Sequence, residues 1–305
     1  MIGKSLRTFG TAIGAALAAG PVAALAQDNA YHHSGPGEVG FQESVTPIMD
    51  SIITFHDGVL LWTTGLIVAL VLILLVWVMV RFNAKSNPVP SATTHNTLVE
   101  IVWTVVPIII LVVIAIPSFG VLSDQLTMPD GERKYLGSNI FSFGTTEVPP
   151  PALTVKATGA QWYWTYEYVD QGKSFDSNIL PEDERLAQPN PQPRLLAVDN
   201  MLIVPVDTTV RVQVTSDPTG VIHAFYVPSF GVLIDAVPGR LNETWFNARK
   251  TGVYYGQCRE LCGKDHAFMP IAVRVVTQDQ FATFMTALQA GNVQSANQTL
   301  PPIDG

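Results

Sequence analysis

Two stretches of this chain, 59–80 and 101–121, contain no charged side chain and are dominated by Leu, Val and Ile. Each is long enough to cross a hydrocarbon layer of ~30 Å as an α-helix. Pro107 and Pro117 fall inside the second stretch, where a membrane helix tolerates proline because neighbouring groups satisfy the freed carbonyls. The pattern predicts a transmembrane hairpin with spans of about 59–80 and 101–121, making a unit over 58–121. A hairpin buried in a soluble core is the alternative, and two uncharged runs of this length argue against it. Beyond residue 151 the pattern changes to short alternating or β-branched runs: 153–158, 162–169, 195–198, 202–206, 209–215, 221–227, 244–247, 252–256 and 271–276. Clusters of Pro, Gly, Asn and Asp separate them, which predicts a small all-β sandwich or barrel over 152–277. Residues 122–151 are a Gly-, Ser- and Pro-rich connection, and 176–194 is a proline-rich loop within the β-domain. Phe281, Phe284, Met285 and Leu288 recur at helical spacing and predict a terminal helix, and the polar chain after Ala290 is expected to be a mobile tail, completing a unit over 278–305.

The flanks of the spans orient them. The connector carries Arg81 and Lys85 with no acid before Glu100, whereas 27–57 has acids and histidines but no Lys or Arg. The positive-inside rule puts the connector in the cytoplasm and the segment 27–57 and the β-domain outside. Residues 1–26 begin with Lys4 and Arg7, continue as a short apolar run and end in A-A-L-A, the pattern of a cleaved signal peptide. A retained anchor helix is the other reading, opposed by Pro21 and the glycines of the run. The 305 residues amount to about two folding units, and the net charge of −8 argues against nucleic acid and for a basic partner.

The chemistry is concentrated in Cys258–Met269, C-R-E-L-C-G-K-D-H-A-F-M, which holds both cysteines of the chain, His266 and Met269. Two thiols, an imidazole and a thioether form a soft ligand set that favours copper. Two other readings stand beside it: a local disulfide, usual for paired cysteines in an exported chain, and a zinc site completed by a distant histidine, which would need nothing from Met269. One blue-copper ion would use a single cysteine, so the second suggests two thiolates shared between two coppers.

The segment Cys-x-Glu-x-Cys-Gly-x-x-His-x-x-Met, with G-Q before it and Pro270 after it, resembles the binuclear copper loop of subunit II of the aa3-type cytochrome c oxidases. V-I-H-A-F, followed by P-S-F-G-V and D-A-V-P-G-R-L, supplies the remote histidine that this resemblance requires, His223. The likeness covers most of the chain from the first span to the end of the β-domain. It implies a transmembrane hairpin plus a cupredoxin-like sandwich carrying a binuclear copper site. The implied ligands are His223, Cys258, Cys262, His266, Met269 and the backbone carbonyl of Glu260, whose side chain would bind a magnesium ion shared with subunit I. The implied role is to accept electrons from cytochrome c at Trp162 and pass them through the copper pair to haem in subunit I, where oxygen is reduced to water and protons are pumped. Subunit I, subunit III, cytochrome c and membrane lipid are the implied partners, and a bacterial cytoplasmic membrane with a periplasmic copper domain is the implied location.

The aromatic run Q-W-Y-W-T-Y-E-Y at 161–168 has a plainer reading as core packing. The resemblance adds docking acids, Glu167, Asp176 and Asp199, and a proton-pathway role for Glu100, which also suits a helix start on electrostatic grounds. Two departures stand out: Gly220 where many relatives carry an acid, and Leu233 where a lysine is common. Quinol oxidase subunits share the fold but lack the copper ligands. Membrane-tethered copper chaperones pair cysteines in a thioredoxin-like pattern with one span, and nitrous oxide reductase lacks the hairpin.

Overall fold

The computed structural model describes residues 31–89, 91–132, 134–135 and 146–303. The expected signal peptide lies outside the described residues, as does 136–145 of the connecting segment. In chain order, β1 (Tyr31–His32) precedes α1 (Pro47–Phe55), a π-helical turn (His56–Leu60) and α2 (Leu61–Arg81), which continue one another, and then α3 (Thr97–Leu126). Thr46 caps α1 by accepting from the Met49 amide, with Pro47 in the first turn where no donor is lost, and Asn96 caps α3 by accepting from the amides of Leu98 and Val99. The 21 residues of α2 reach about 32 Å, enough for a hydrocarbon core. Side chains all round both long helices are exposed, Ile73 at 66% and Ile116 at 70% among them, a surface suited to lipid.

Short strands β2 (Lys134–Tyr135) and β3 (Thr146–Glu147) pair before the β-domain. The domain continues through β4 (Leu153–Ala160), β5 (Tyr163–Tyr168), β6 (Lys173–Ser177), helix α4 (Glu182–Leu186), β7 (Leu202–Pro205), β8 (Thr209–Ser216), β9 (His223–Val227), β10 (Val232–Ala236), β11 (Asn242–Asn247), β12 (Gly252–Gln257) and β13 (Pro270–Val276). Its sheets run β11-β8-β4-β5-β6 and β1-β12-β13-β7, with β9-β10 as a separate antiparallel ribbon. Inward positions alternate with outward ones: Leu153, Val155 and Ala157 on β4, and Trp164, Tyr166 and Tyr168 on β5, are buried. Tyr168 ties the sheets together by donating its hydroxyl to the Ile203 carbonyl at 2.7 Å.

Several elements differ from the sequence-based expectation. The run 195–198 is no strand: Leu195 has φ +66°, and Val198 makes only an isolated bridge with Ile179. β1 adds a parallel edge to β12 from a segment with no alternation to mark it. β6, with Phe175 alone as its apolar anchor, fills the start of the stretch expected to be a loop. The tail is structured over 291–303: Asn292 and Ser295 form a reciprocal cap on α6 (Val293–Asn297), which follows α5 (Gln278–Ala290) and buries Val293, Ala296 and then Leu300. The second helix also runs on past the apolar stretch, because its last turn docks on β11. Trp245 donates its indole N–H to the Asp124 carbonyl at 2.8 Å, and Thr244 its hydroxyl to that of Gln125 at 3.2 Å. At the other helix, Thr46 donates its hydroxyl to the Phe230 carbonyl and Asp50 pairs with Arg249 at 2.7 Å.

Candidate metal centre

Two pieces of chain meet at one end of the sandwich. His223 opens β9 against Gly159 of β4, where an added Cβ would lie 3.0 Å from the imidazole, so glycine makes the room the ring occupies. The other piece, 258–269, joins β12 to β13, with Met269 immediately before the last strand. Gly263 turns at φ +125°, and a Cβ there would meet the Trp162 ring at 2.9 Å.

The donor atoms converge. Cys258 Sγ lies 3.8 Å from His223 Nδ1 and contacts the Glu260 carbonyl at 3.2 Å. Cys262 Sγ lies 3.5 Å from both His266 Nδ1 and Met269 Sδ. The two sulfurs are 3.9 Å apart and both thiols are free, far from the ~2.05 Å of a disulfide. Ligand atoms of His223, Cys258 and Cys262 lie within 4.8 Å of one another, so this trio can hold a metal ion. His223, Cys258, Cys262 and Met269 are buried, while His266 is half-buried and borders a shallow cleft lined by Gln257, Cys258, Arg259, His266 and Ala267.

Burial favours the neutral forms of Cys262 and His223. Burial, with the neighbouring Cys258 thiol adding to it, pushes the Cys262 thiol up to about 12, so metal binding must displace its proton. Burial, and secondarily the charge of His266, lowers the pKa of His223 and keeps its nitrogen lone pair available. His223 Nε2 is buried without a hydrogen-bond partner, as is Trp164 Nε1, the ring of which stands edge-on to the imidazole at 6.1 Å.

Trp162 is half-buried at the turn before β5 and donates its indole N–H to the Cys262 carbonyl at 3.1 Å, while Gln161 donates its amide to the same oxygen at 3.0 Å. Trp162 therefore belongs to this cluster. Asp176 is exposed on β6 opposite Thr165, whose hydroxyl it accepts at 2.6 Å. Asp199 is exposed and accepts from the Asn178 backbone and side chain. Glu167 lies further along β5 and pairs with Lys156 at 3.7 Å. The Glu260 side chain is exposed beside the loop. Glu100 is remote from all of these, at the start of α3, where it accepts from the Asn96 amide at 3.3 Å. Gly159 takes part unannounced by any motif, and Gln161, the head of the aromatic run, gains its role from the turn that carries it to the donor loop.

A profile of the cytochrome c oxidase subunit II periplasmic domain matches residues 153–276, and one of that subunit's transmembrane domain matches 34–121. The chain is 45% identical over 252 residues to the probable cytochrome c oxidase subunit 2 of Rickettsia bellii, spanning 83% of this chain and 84% of that one. Against cytochrome c oxidase subunit 2 of Triticum aestivum it is 42% identical over 261 residues, spanning 82% and 89%. A crystal structure of the periplasmic domain of subunit II of cytochrome oxidase from Bradyrhizobium japonicum is 54% identical and covers 50% of this chain and 99% of that one, with a TM-score of 0.42. With both parts matched and relatives spanned over most of their length, the chain belongs to the cytochrome c oxidase subunit II family.

Proposed function

We propose that the chain is the electron-accepting subunit of a cytochrome c oxidase and that Cys258, Cys262, His223, His266, Met269 and the Glu260 carbonyl hold a pair of copper ions. The observation that carries this reading is the partition of the donors. Each sulfur sits 3.9 Å from the other, and each is flanked by its own imidazole and a further soft or carbonyl donor. Six donors are more than a single tetrahedral ion takes, which disfavours zinc. The copper pair would supply a one-electron store between cytochrome c and the haem of subunit I, where oxygen is reduced to water and protons are pumped.

The protein's own contribution is to hold the donors still. His223 is buried at the start of β9, packed on Gly159 of β4, and the loop is closed by the paired ends of β12 and β13, so little movement need accompany a change of charge. The hydrogen bond from Trp162 to the Cys262 carbonyl supports a role as the contact with the donor protein. Asp176, Asp199 and Glu167 would steer a lysine-rich cytochrome c toward it. Exposed Glu260 is free to reach a magnesium ion shared with subunit I. Glu100 would serve at the mouth of a proton pathway on the cytoplasmic side, and subunit III would complete the assembly. The location that fits is a bacterial cytoplasmic membrane, spanned by α2 and α3, with the β-domain in the periplasm.

The test is metal content and electron spin resonance of the purified oxidase. Two coppers in this subunit sharing one unpaired electron are expected, and the signal should vanish in Cys258→Ser and in Cys262→Ser. One zinc per chain, or a Cys258–Cys262 disulfide that persists under copper loading, would remove the proposal.

A further inference from the structure

A metal-bound imidazole ordinarily donates its second ring N–H to a carboxylate, a carbonyl or water, which fixes the plane of the ring. His223 is held differently. It is fully buried with Nδ1 turned to Cys258 Sγ at 3.8 Å, and among the described residues its Nε2 has no hydrogen-bond partner. What surrounds the ring is shape. Gly159 and Trp164 are directly paired across β4 and β5, both at inward, buried positions. A Cβ on Gly159 would lie 3.0 to 3.1 Å from Cβ, Cγ and Cδ2 of His223, so the imidazole rests on bare backbone. The Trp164 ring stands beside it at 6.1 Å and 62°, and is itself edge-on to Phe225 at 5.5 Å. Ser216 Oγ bridges the carbonyls of Gly159 and Val221, at 3.2 and 2.6 Å, which ties the approach to β9 to the same strand.

We infer that Gly159 and Trp164 are positioning residues for His223, forming a slot that presents Nδ1 to the cysteines by shape. This inference rests on the reading of His223 as a copper ligand. Turning the ring by half a revolution about Cβ–Cγ would exchange Nδ1 for Cδ2 and offer Cys258 a carbon. With no protein acceptor at Nε2 to oppose that turn, contact with the Trp164 ring and the Gly159 backbone opposes it instead. A preset ring spares metal binding the cost of ordering it, so the slot acts on copper affinity.

The experiment uses the full-length chain for copper binding and the intact oxidase for spectroscopy. In Trp164→Leu, copper affinity measured against a competing chelator should fall about 10- to 100-fold, as for loss of a group that orients a ligand. Trp164→Phe keeps an aromatic wall without the indole N–H and should retain most of that affinity. Phe230→Leu removes a buried ring packed on Phe246 and Tyr254, past the far end of β9 from His223. It should lower the thermal midpoint and leave copper affinity near the parent's. In the oxidised enzyme, electron–nuclear double resonance should show one imidazole nitrogen coupling shifted in Gly159→Ala and the other kept. In the copper-free chain, the ring-nitrogen NMR signals of His223, single in the parent, should double or broaden in Trp164→Leu. Equal losses of affinity in Trp164→Leu and Trp164→Phe would assign the effect to the indole N–H, and an equal loss in Phe230→Leu would assign it to stability. Either result overturns the inference, as does parent-like affinity in Trp164→Leu or unchanged couplings in Gly159→Ala. A chain that holds no copper pair would overturn the reading of the ligands instead, while the copper-free signals would still report on the slot.

Discussion

Along 162–168, one strand's alternation assigns different work to similar side chains. Trp164, Tyr166 and Tyr168 are fully buried, Trp164 standing edge-on to His223 and, at 5.5 Å, to Phe225. Trp162 lies before the strand, half-exposed and bonded to the donor loop. Trp164→Ala should destabilise the domain by about 3–5 kcal/mol and release copper, since it removes a large core side chain beside a ligand. Trp162→Ala should leave thermal midpoint and copper content near those of the parent and slow transfer within the bound complex steeply. Measuring all three quantities on one preparation checks the pair; copper loss in Trp162→Ala would place that residue in the core as well. The sequence showed the alternation but not which tryptophan faced which way. The two share parity, so alternation alone cannot separate them; Trp162 is set apart because the strand begins only at Tyr163 and the turn before it is held by the Cys262 carbonyl, a long-range contact.

Helices show how local chemistry and distant packing divide an element's ends. At the start of α3, Asn96 and Glu100 satisfy orphan amides within one turn, an arrangement readable from N-T-L-V-E alone. Glu100→Ala should therefore cost the helix no more than about 1 kcal/mol. If Glu100 also serves proton uptake, the same variant slows oxidase turnover while copper reduction by cytochrome c keeps its rate; unaltered turnover would leave capping as its whole role. The far end of α3 was not legible, because Ser123, Asp124 and Gln125 look like a polar exit from the membrane and become helix through contact with Thr244 and Trp245. α6 was hidden for the same reason: Val293, Ala296 and Leu300 are sparse apolar positions that count only when a surface is ready to receive them. The donor loop is the opposite case. Most of its chemistry lies within twelve consecutive residues, so spacing alone announced it, while His223 needed a family pattern to be found.

At the scale of the whole molecule, exposed acids are tied to different partners. The acids named around the Trp162 end differ in their ties: Asp199 pins Asn178, whereas Glu167 offsets Lys156. Glu167→Gln would leave Lys156 uncompensated, so it should weaken cytochrome c association at low ionic strength more than Asp176→Asn does, with both losses fading near ~0.15 M salt. Association measured across a salt series checks this, and equal effects would show that Lys156 is irrelevant to docking. The β-domain is also bolted to the membrane helices at two places, through Thr46 and Asp50 on α1 and through the last turn of α3. That docking turns α3 into a measuring rod. Each of its residues lifts the chain by about 1.5 Å and swings it by about 100°, so elevation and azimuth of the donor loop above the bilayer are counted out in residues. A partner embedded in lipid, as the proposed function requires, would meet that loop at a height written into the length of one helix, and a chain one residue longer there would face it the wrong way.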